Sequence, residues 1–344
     1  MTTIISALTA TLTFMYGVEI DPNVVSQIPF DSPMFDWLEA GPGAPHRDLA
    51  RAATYGVLSA AAFSSGTDGS FACGGDPPDI SLTRAVEAVT KKCYGAQSGI
   101  ADVNIIASRM GIAPHSLDGE GYRDDAELLL NMLYVRTRQA IDWAIIRGSV
   151  AANANNFNGL ENRVTALNGS EVLAVNGVYT KSALDELIIQ MLMKGVVPQA
   201  ICCNPIVLSS LTQAYTSGAT NVDINMNMGD GAATLGYWVK DIVTPAGVLP
   251  IITDRRFTVA GTAPTFTTDI YVLTREHMGE QILKLQWQVL PTALDLARLI
   301  GYYTSQIFAV WSNVALIEKS SWFAQGKLDN VIITYAPTPA TVAV

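Results

Sequence analysis

The sequence predicts an α+β fold, and three observations carry that prediction. A helical apolar pattern fills "DDAELLLNMLYVRTRQAIDWAIIRGS" (124–149). A helix–strand–helix succession runs from Ala183 to Tyr215. A strict two-residue alternation occupies "QILKLQWQVL" (281–290).

In the long helix, Ala126, Leu129, Leu130, Leu133, Thr137, Ala140, Ile141, Ala144 and Gly148 recur at three- and four-residue steps and share one face. Leu128, Met132, Val135, Trp143 and Ile146 make a second apolar stripe. Such a helix is about 39 Å long at ~1.5 Å per residue. It is expected to be covered on two sides and to act as a spine, with Arg136, Arg138 and Arg147 in solvated or interfacial ion pairs. "ANANNFNG" (152–159) ends it, because Asn and Gly tolerate left-handed backbone. In the second element, Ala183, Leu184, Leu187, Ile188, Met191 and Leu192 form an amphipathic helix closed by Gly195 and Pro198. "QAICC" (199–203) reads as a short buried strand, and Asn204–Pro205 as an N-cap with Pro at N1 opening "PIVLSSLTQAY". "GYWVKDIV" (236–243) and "GVLPIIT" (247–253) follow as strands. In the third, Leu283, Leu285, Trp287 and Val289 take one face and Lys284, Gln286 and Gln288 the other. Residues 300–320 read as a further long strand or strand pair.

The remainder is less regular. Residues 1–50 hold Pro22, Pro29, Pro33, Pro42 and Pro45, and their aromatics Phe30, Phe35 and Trp37 show no periodicity. Proline biases its neighbours toward extended backbone, so this stretch reads as an arm. "TYGVLSAAAF" (54–63) and "ISLTRAVEAV" (80–89), separated by Gly, Ser, Asp and Pro clusters, read as a long two-stranded element within 51–92. "SGIADVNIIASRMGI" (98–112) predicts a short helix ended by Gly111, and the carboxylates of "DGEGYRDD" (118–125) suit a helix N-terminus. "APTPATVAV" (336–344) reads as a flexible tail.

Composition narrows the function classes. Charged residues are 15% of the 344 and apolar residues 49%, against about 25% charge in a typical soluble domain. The apolar residues are dispersed: "IFAVWSNVALI" (307–317) is broken by Ser312 and Asn313 and falls short of the ~20 residues of a membrane span. The N-terminal "MTTIISALTATLTFMYG" has no basic n-region, the first basic residue being Arg47, and reads as mature chain. So apolar a chain implies either extensive subunit contact or a compact monomeric enzyme. A net charge of −10, with no run of four Lys or Arg, argues against a basic nucleic-acid-reading face. Cys73, Cys93, Cys202 and Cys203 show no CxxC pattern and read as small buried hydrophobes, the vicinal pair on opposite faces of a strand. His46, His115 and His277 lack metal-ligand spacing, and the sequence contains no GxSxG, GxxxxGK[ST] or GxGxxG. No catalytic, cofactor-binding or metal-binding residue and no cofactor is assigned.

The order of parts is extended arm, long hairpin, short helix, spine helix, "NFNGLENRV" (156–164), "GVVPQAICCNPIVLSSLTQA" (195–214), "GVLPIITDRRF" (247–257) and closing strands. It resembles the major capsid proteins of tailed bacteriophages, the Hong Kong 97-type capsid fold, over nearly the whole chain. The resemblance implies an N-arm (1–50), an E-loop (51–92), a P-domain with the spine helix (93–164), an A-domain (165–275), returning strands (276–335) and a tail (336–344). It further implies self-assembly into hexamers and pentamers that form an icosahedral head around double-stranded DNA, with no sequence-specific contact to that DNA and no membrane. The protein would reside in the virion after assembly in the bacterial host cytoplasm. A separate scaffolding protein, a portal and decoration or cement proteins are the implied partners. Phe30, Phe35, Trp37, Phe63 and Phe71 are the candidate inter-subunit contacts. The fold's prototype cross-links an E-loop lysine to an asparagine of another subunit; residues 52–90 hold no lysine, so no isopeptide network is expected. An encapsulin-like nanocompartment shell and a cytosolic α/β enzyme with an unrecognised site are the alternatives.

Overall fold

The computed structural model describes residues 31–63, 80–101, 125–208, 210–211, 224–226, 239–262, 264–277, 279–299, 305–318 and 325–334. The described residues fall into two compact units, one drawn from within 93–141 and 289–313, the other from within 32–92, 142–288 and 314–334. Phe30, Phe71, Cys73, His115, the 102–112 part of the expected short helix and the 336–344 tail lie outside the described residues.

In chain order the elements are an arm helix (Pro33–Glu39), β1 (His46–Arg47), β2 (Ala52–Phe63), β3 (Ile80–Thr90), β4 (Lys92–Ala101), the long helix (Asp125–Arg147), a single turn (Leu160–Arg163) and β5 (Glu171–Val178). A lobe helix (Lys181–Met193) follows, then β6 (Ala200–Cys203), β7 (Ile224–Met226), β8 (Val239–Thr244), β9 (Gly247–Thr253), β10 (Val259–Thr262) and β11 (Thr265–Leu273). The chain continues through β12 (Glu276–His277), β13 (Glu280–Gln281), β14 (Leu283–Leu299), β15 (Ser305–Glu318) and β16 (Gly326–Thr334).

The larger unit is built on a mixed eight-stranded sheet in the order β5-β16-β11-β6-β9-β8-β7, with β10 added on β11. Strands β6 and β9 run parallel, as do β16 and β5, while β11 is antiparallel to both β6 and β16. The lobe helix covers one face. Thr180 caps it by accepting the Ala183 N–H, and Leu184, Leu187, Ile188 and Met191 are fully buried. They pack with Ile201, Cys203, Ile270, Val272, Leu328 and Val331 into the main core. Gly326 lets this helix lie close to β16, since a Cβ there would stand 2.7 Å from Met191 Sδ and 3.2 Å from Leu187 Cδ2. The sequence pattern locates β6, β8, β9 and the lobe helix; β5, β11 and β16 carry no equally clean alternation and are fixed by long-range pairing.

In the other unit, Leu129, Leu130, Leu133 and Tyr134 of the long helix pack with Ala96 of β4, Ala293 of β14 and Phe308 and Val310 of β15. Ser312 Oγ donates to the Tyr94 carbonyl. Gly95 allows β4 to lie against Val310 and Trp311.

Four expectations change. Residues 98–101 are the end of strand β4 rather than the start of a helix, because β4 is paired beside β15. The arm is not extended throughout: Pro33 opens a two-turn helix that buries Met34, Phe35 and Leu38, since proline suits the first helical position. Trp143 is 42% exposed, so the second stripe of the long helix is incomplete. Cys93 is exposed, whereas Cys202 and Cys203 are buried as expected.

Candidate functional site

Among the described residues, a set of specific contacts lies in the larger unit, where the last turns of the long helix meet "NFNGLENRV". Its base is a close backbone crossing. Gly159 donates its N–H to the Gly148 carbonyl at 2.7 Å, and Asn162 Nδ2 donates to the same oxygen at 2.7 Å. A Cβ on Gly159 would stand 2.5 Å from the Ala144 carbonyl oxygen, 2.7 Å from that of Ile146 and 2.8 Å from Gly148 N. Gly148 is equally confined, against the carbonyls of Ala144 and Phe157. Asn158 Oδ1 accepts from Val150 N at 2.9 Å and returns the loop to the helix end. Phe157, Leu160 and Val164 are buried. The buried Phe157, Leu160 and Val164 thus seal the crossing, while Gly159 and Asn162 pair the Gly148 carbonyl, which has no partner within the helix.

The crossing is tied to the turn after β9. Glu161 accepts from Thr258 N at 2.8 Å and from Thr258 Oγ1 at 2.9 Å. Arg163 donates to the Glu318 carbonyl at 3.1 Å. Asn204 Nδ2 donates to the carbonyls of Arg255 and Phe257, while its Oδ1 accepts from Ile206 N at 3.1 Å, as expected of an N-cap. Phe257 stacks on Tyr271 at 5.3 Å.

Beside it lies a buried ionic cluster. Asp142, on the long helix, has no exposed side-chain surface. Its Oδ2 accepts from Arg256 Nη1 at 2.5 Å, and its Oδ1 accepts the Phe35 N–H of the arm helix at 2.6 Å. The same guanidinium nitrogen is 3.2 Å from Asp254 Oδ1. Burial first, then the hydrogen bond and charge of Asp254, push the Asp142 carboxyl up to about 8.

The arm helix has further anchors. Phe35 meets Trp287 edge-on at 6.1 Å, and Trp287 Nε1 donates to Glu39 Oε1 at 2.9 Å. Arg275 donates to the Trp37 carbonyl at 2.7 Å, and its guanidinium lies 5.4 Å from the Trp37 ring centroid. Gln281 Nε2 donates to the Pro42 carbonyl. At the base of the β2–β3 hairpin, Lys91 is buried and donates to the carbonyls of Asp48 and Ala50 at 2.5 and 2.7 Å. Lys92 donates to the Ala154 carbonyl at 2.6 Å.

Of the five aromatics predicted to meet other subunits, Phe35 is buried in its own chain and Trp37 is half-buried. The backbone of Phe63 ends β2, opposite Ile80. Asp142, Asp254, Arg256 and Glu161 escaped the sequence reading. The available signal was Asp142 itself, a carboxylate set between Ile141 and the Ala144–Ile146 apolar run. Among the described residues no group of three His, Cys, Asp or Glu could hold a metal ion, and no helix is long and apolar enough to cross a membrane.

This architecture recurs in solved structures. The cyanophage A-1(L) capsid asymmetric unit matches with a TM-score of 0.60 at 11% identity, over 92% of this chain and 97% of that one. The holo-SrpI encapsulin complex from Synechococcus elongatus PCC 7942 matches with 0.56 at 14% identity, over 96% and 97%. Mycobacterium phage Adephagia gives 0.53 at 11%, over 97% and 98%. No curated protein sequence matches the chain. The fold is therefore the Hong Kong 97-type capsid fold. Residues 130–290 match the family model described as SU10 major capsid protein. That stretch, 161 of the 344 residues, is where the chain is similar to a major capsid protein.

Proposed function

We propose that the subunits assemble as hexamers and pentamers into an icosahedral head that encloses double-stranded DNA. The observation that carries this is the β2–β3 hairpin. It pairs from Ala52↔Thr90 to Phe63↔Ile80, and among the described residues neither strand joins any other sheet. A two-stranded hairpin is marginal in water on its own, so this one needs a neighbouring subunit beneath it. In this reading 1–50 is the N-arm, 51–92 the E-loop, 93–164 the P-domain, 165–275 the A-domain, and 276–335 the returning strands.

Phe30, Trp37, Phe63 and Phe71 are the proposed inter-subunit contacts; Phe35 drops out because Trp287 already covers its ring. The shell holds DNA by confinement, since a net charge of −10 opposes phosphate binding by counterion release. It has no enzymatic role and needs no cofactor. Assembly takes place in the host cytoplasm with a separate scaffolding protein and a portal, and decoration proteins bind the finished head. Subunits are not covalently cross-linked: Lys91 and Lys92 at the hairpin base already donate to carbonyls of their own chain. The family match to a phage capsid favours this reading over the encapsulin one.

Negative-stain microscopy and size exclusion of the expressed protein test it. Particles, sheets or capsomers are expected. A clean monomer or dimer at high concentration refutes assembly, and ladders of multimers after boiling in detergent refute the absence of cross-links.

A further inference from the structure

Three Asn–Gly pairs stand close together in the sequence, at 158–159, 168–169 and 176–177. Asparagine is a thermolabile residue, most of all before glycine. The glycine nitrogen can attack the asparagine side-chain carbonyl, and no Cβ on the glycine obstructs the approach. The three pairs are alike in sequence, so the fold alone sets them apart.

Two pairs are held by long-range structure. Gly159 is buried, its N–H donates to the Gly148 carbonyl at 2.7 Å, and Asn158 Oδ1 accepts from Val150 N at 2.9 Å. Attack there requires the whole crossing to open. Asn176 and Gly177 lie within β5, where Gly177 is paired with Val331 of β16 and Asn176 Oδ1 accepts from Asn330 Nδ2 at 3.2 Å. Attack there requires two strands to part. The third pair has no such hold. Asn168 ends a one-turn 3-10 helix, Ala166–Asn168, in which no residue is buried, and Leu167 is 98% exposed. Asn168 and Gly169 are themselves exposed. Their bonds are local: Gly169 N donates to the Ala166 carbonyl at 3.1 Å, and Asn168 Nδ2 to the Arg163 carbonyl at 2.8 Å. A turn with no buried side chain and only exposed, local bonds opens at little cost.

We propose that Asn168 is a self-modification site of the folded subunit, converted through a cyclic imide to aspartate or isoaspartate with water as the co-reactant. Once the turn opens, the Gly169 nitrogen gives its proton to hydroxide and bonds to Asn168 Cγ. The Cγ–Nδ2 bond breaks, and Nδ2 takes a proton from water and leaves as ammonia. Water then opens the imide at either carbonyl. One water is consumed, one ammonia is released, and no atom changes oxidation state. The product cannot rebuild the turn. A carboxylate replaces the amide that donated to the Arg163 carbonyl, so one acceptor faces another. The change therefore loosens the segment between Arg163 and β5. It belongs to the subunit's own fold and holds whether or not assembly proceeds as proposed above.

Peptide mapping of the full-length subunit tests this, after incubation at pH 8 with and without urea and digestion under mildly acidic conditions. A slow reaction through an open state follows the population of that state. In the folded protein Asn168 should therefore convert at least about tenfold faster than Asn158 or Asn176. In urea, where the fold protects none of them, the three should convert at comparable rates. Comparable rates in the folded protein, or an Asn168 that reacts only in urea, overturn the proposal. Asn168→Gln keeps an amide but would have to close a larger, slower ring. It should abolish conversion at this position and leave the other two rates unchanged; conversion that persists there overturns the mechanism. Backbone hydrogen exchange gives a reading independent of the chemistry. The Gly169 amide should exchange at least about tenfold faster than the Gly159 amide, and equal protection of the two also overturns the proposal.

Discussion

Gly159→Ala adds one methyl group where the backbone of the motif crosses the end of the long helix. The Gly159 backbone has φ −85° and ψ −176°, a conformation open to any residue, so space alone decides the outcome. The methyl carbon would stand 2.5, 2.7 and 2.8 Å from three backbone atoms, and none of these can swing aside as a side-chain tip would. The crossing must open, and with it go the two hydrogen bonds to the Gly148 carbonyl. These contribute about 1 kcal/mol each, and overpacking adds about 1–3 kcal/mol. The sum of about 3–5 kcal/mol is a large part of a typical domain stability of about 5–15 kcal/mol. Gly195→Ala is the control. Gly195 has φ +80°, but a methyl carbon added there would meet nothing within 4 Å, so only left-handed strain of about 1–2 kcal/mol applies. Urea unfolding of the unassembled subunit measures both. If Gly159→Ala shifts the midpoint no more than Gly195→Ala, the tight crossing is not what holds this joint.

Trp287→Ala should cost about 3–5 kcal/mol by denaturant unfolding, because the ring is 1% exposed and holds Phe35 and Glu39. Trp143→Ala, from a side chain 42% exposed, should cost about 1–2 kcal/mol; equal costs would contradict the burial assigned to the two rings. Arg256→Met removes the cation between two buried carboxyls and should destabilise by about 3–5 kcal/mol at pH 8, less at pH 5, where protonation relieves the repulsion. In the wild type, the Asp142 carboxyl is raised to about 8 from 3.8. Its stabilising contribution is therefore complete below about pH 4 and is lost as pH rises through 8, with a slope of at most about 1.4 kcal/mol per unit. A stability profile that is flat between pH 4 and 8 in the wild type and unchanged in Asp142→Asn would contradict this. Iodoacetamide on the folded protein should label Cys93 and spare Cys202 and Cys203, since burial pushes the Cys203 thiol up to about 12; mass spectrometry reads the difference. Trp37→Ala should leave unfolding nearly unchanged and reduce particle yield, and normal particle yield would remove Trp37 from the subunit contacts.

Local periodicity was enough for the long helix, the lobe helix with Leu184, Leu187, Ile188 and Met191, the buried β6 and the alternation of β14. Those patterns depend on the spacing of neighbours, which a sequence displays directly. The order of these parts also carried the resemblance to the capsid fold. Periodicity could not reach the arm helix, whose seven residues carry one short apolar face that is buried on Trp287, some 250 positions away. Nor could it foresee that Trp143 stays exposed while Ile145 and Ile146 are buried, because both choices fit a helical stripe. The ionic cluster lay furthest from view. Asp142 and Arg256 are 114 residues apart, and although Asp142 interrupts an apolar run, nothing local names its partner. Desolvation exists only once the chain brings the groups together, so the sequence determined the elements and their order, while the tertiary structure decided which charges lost their water.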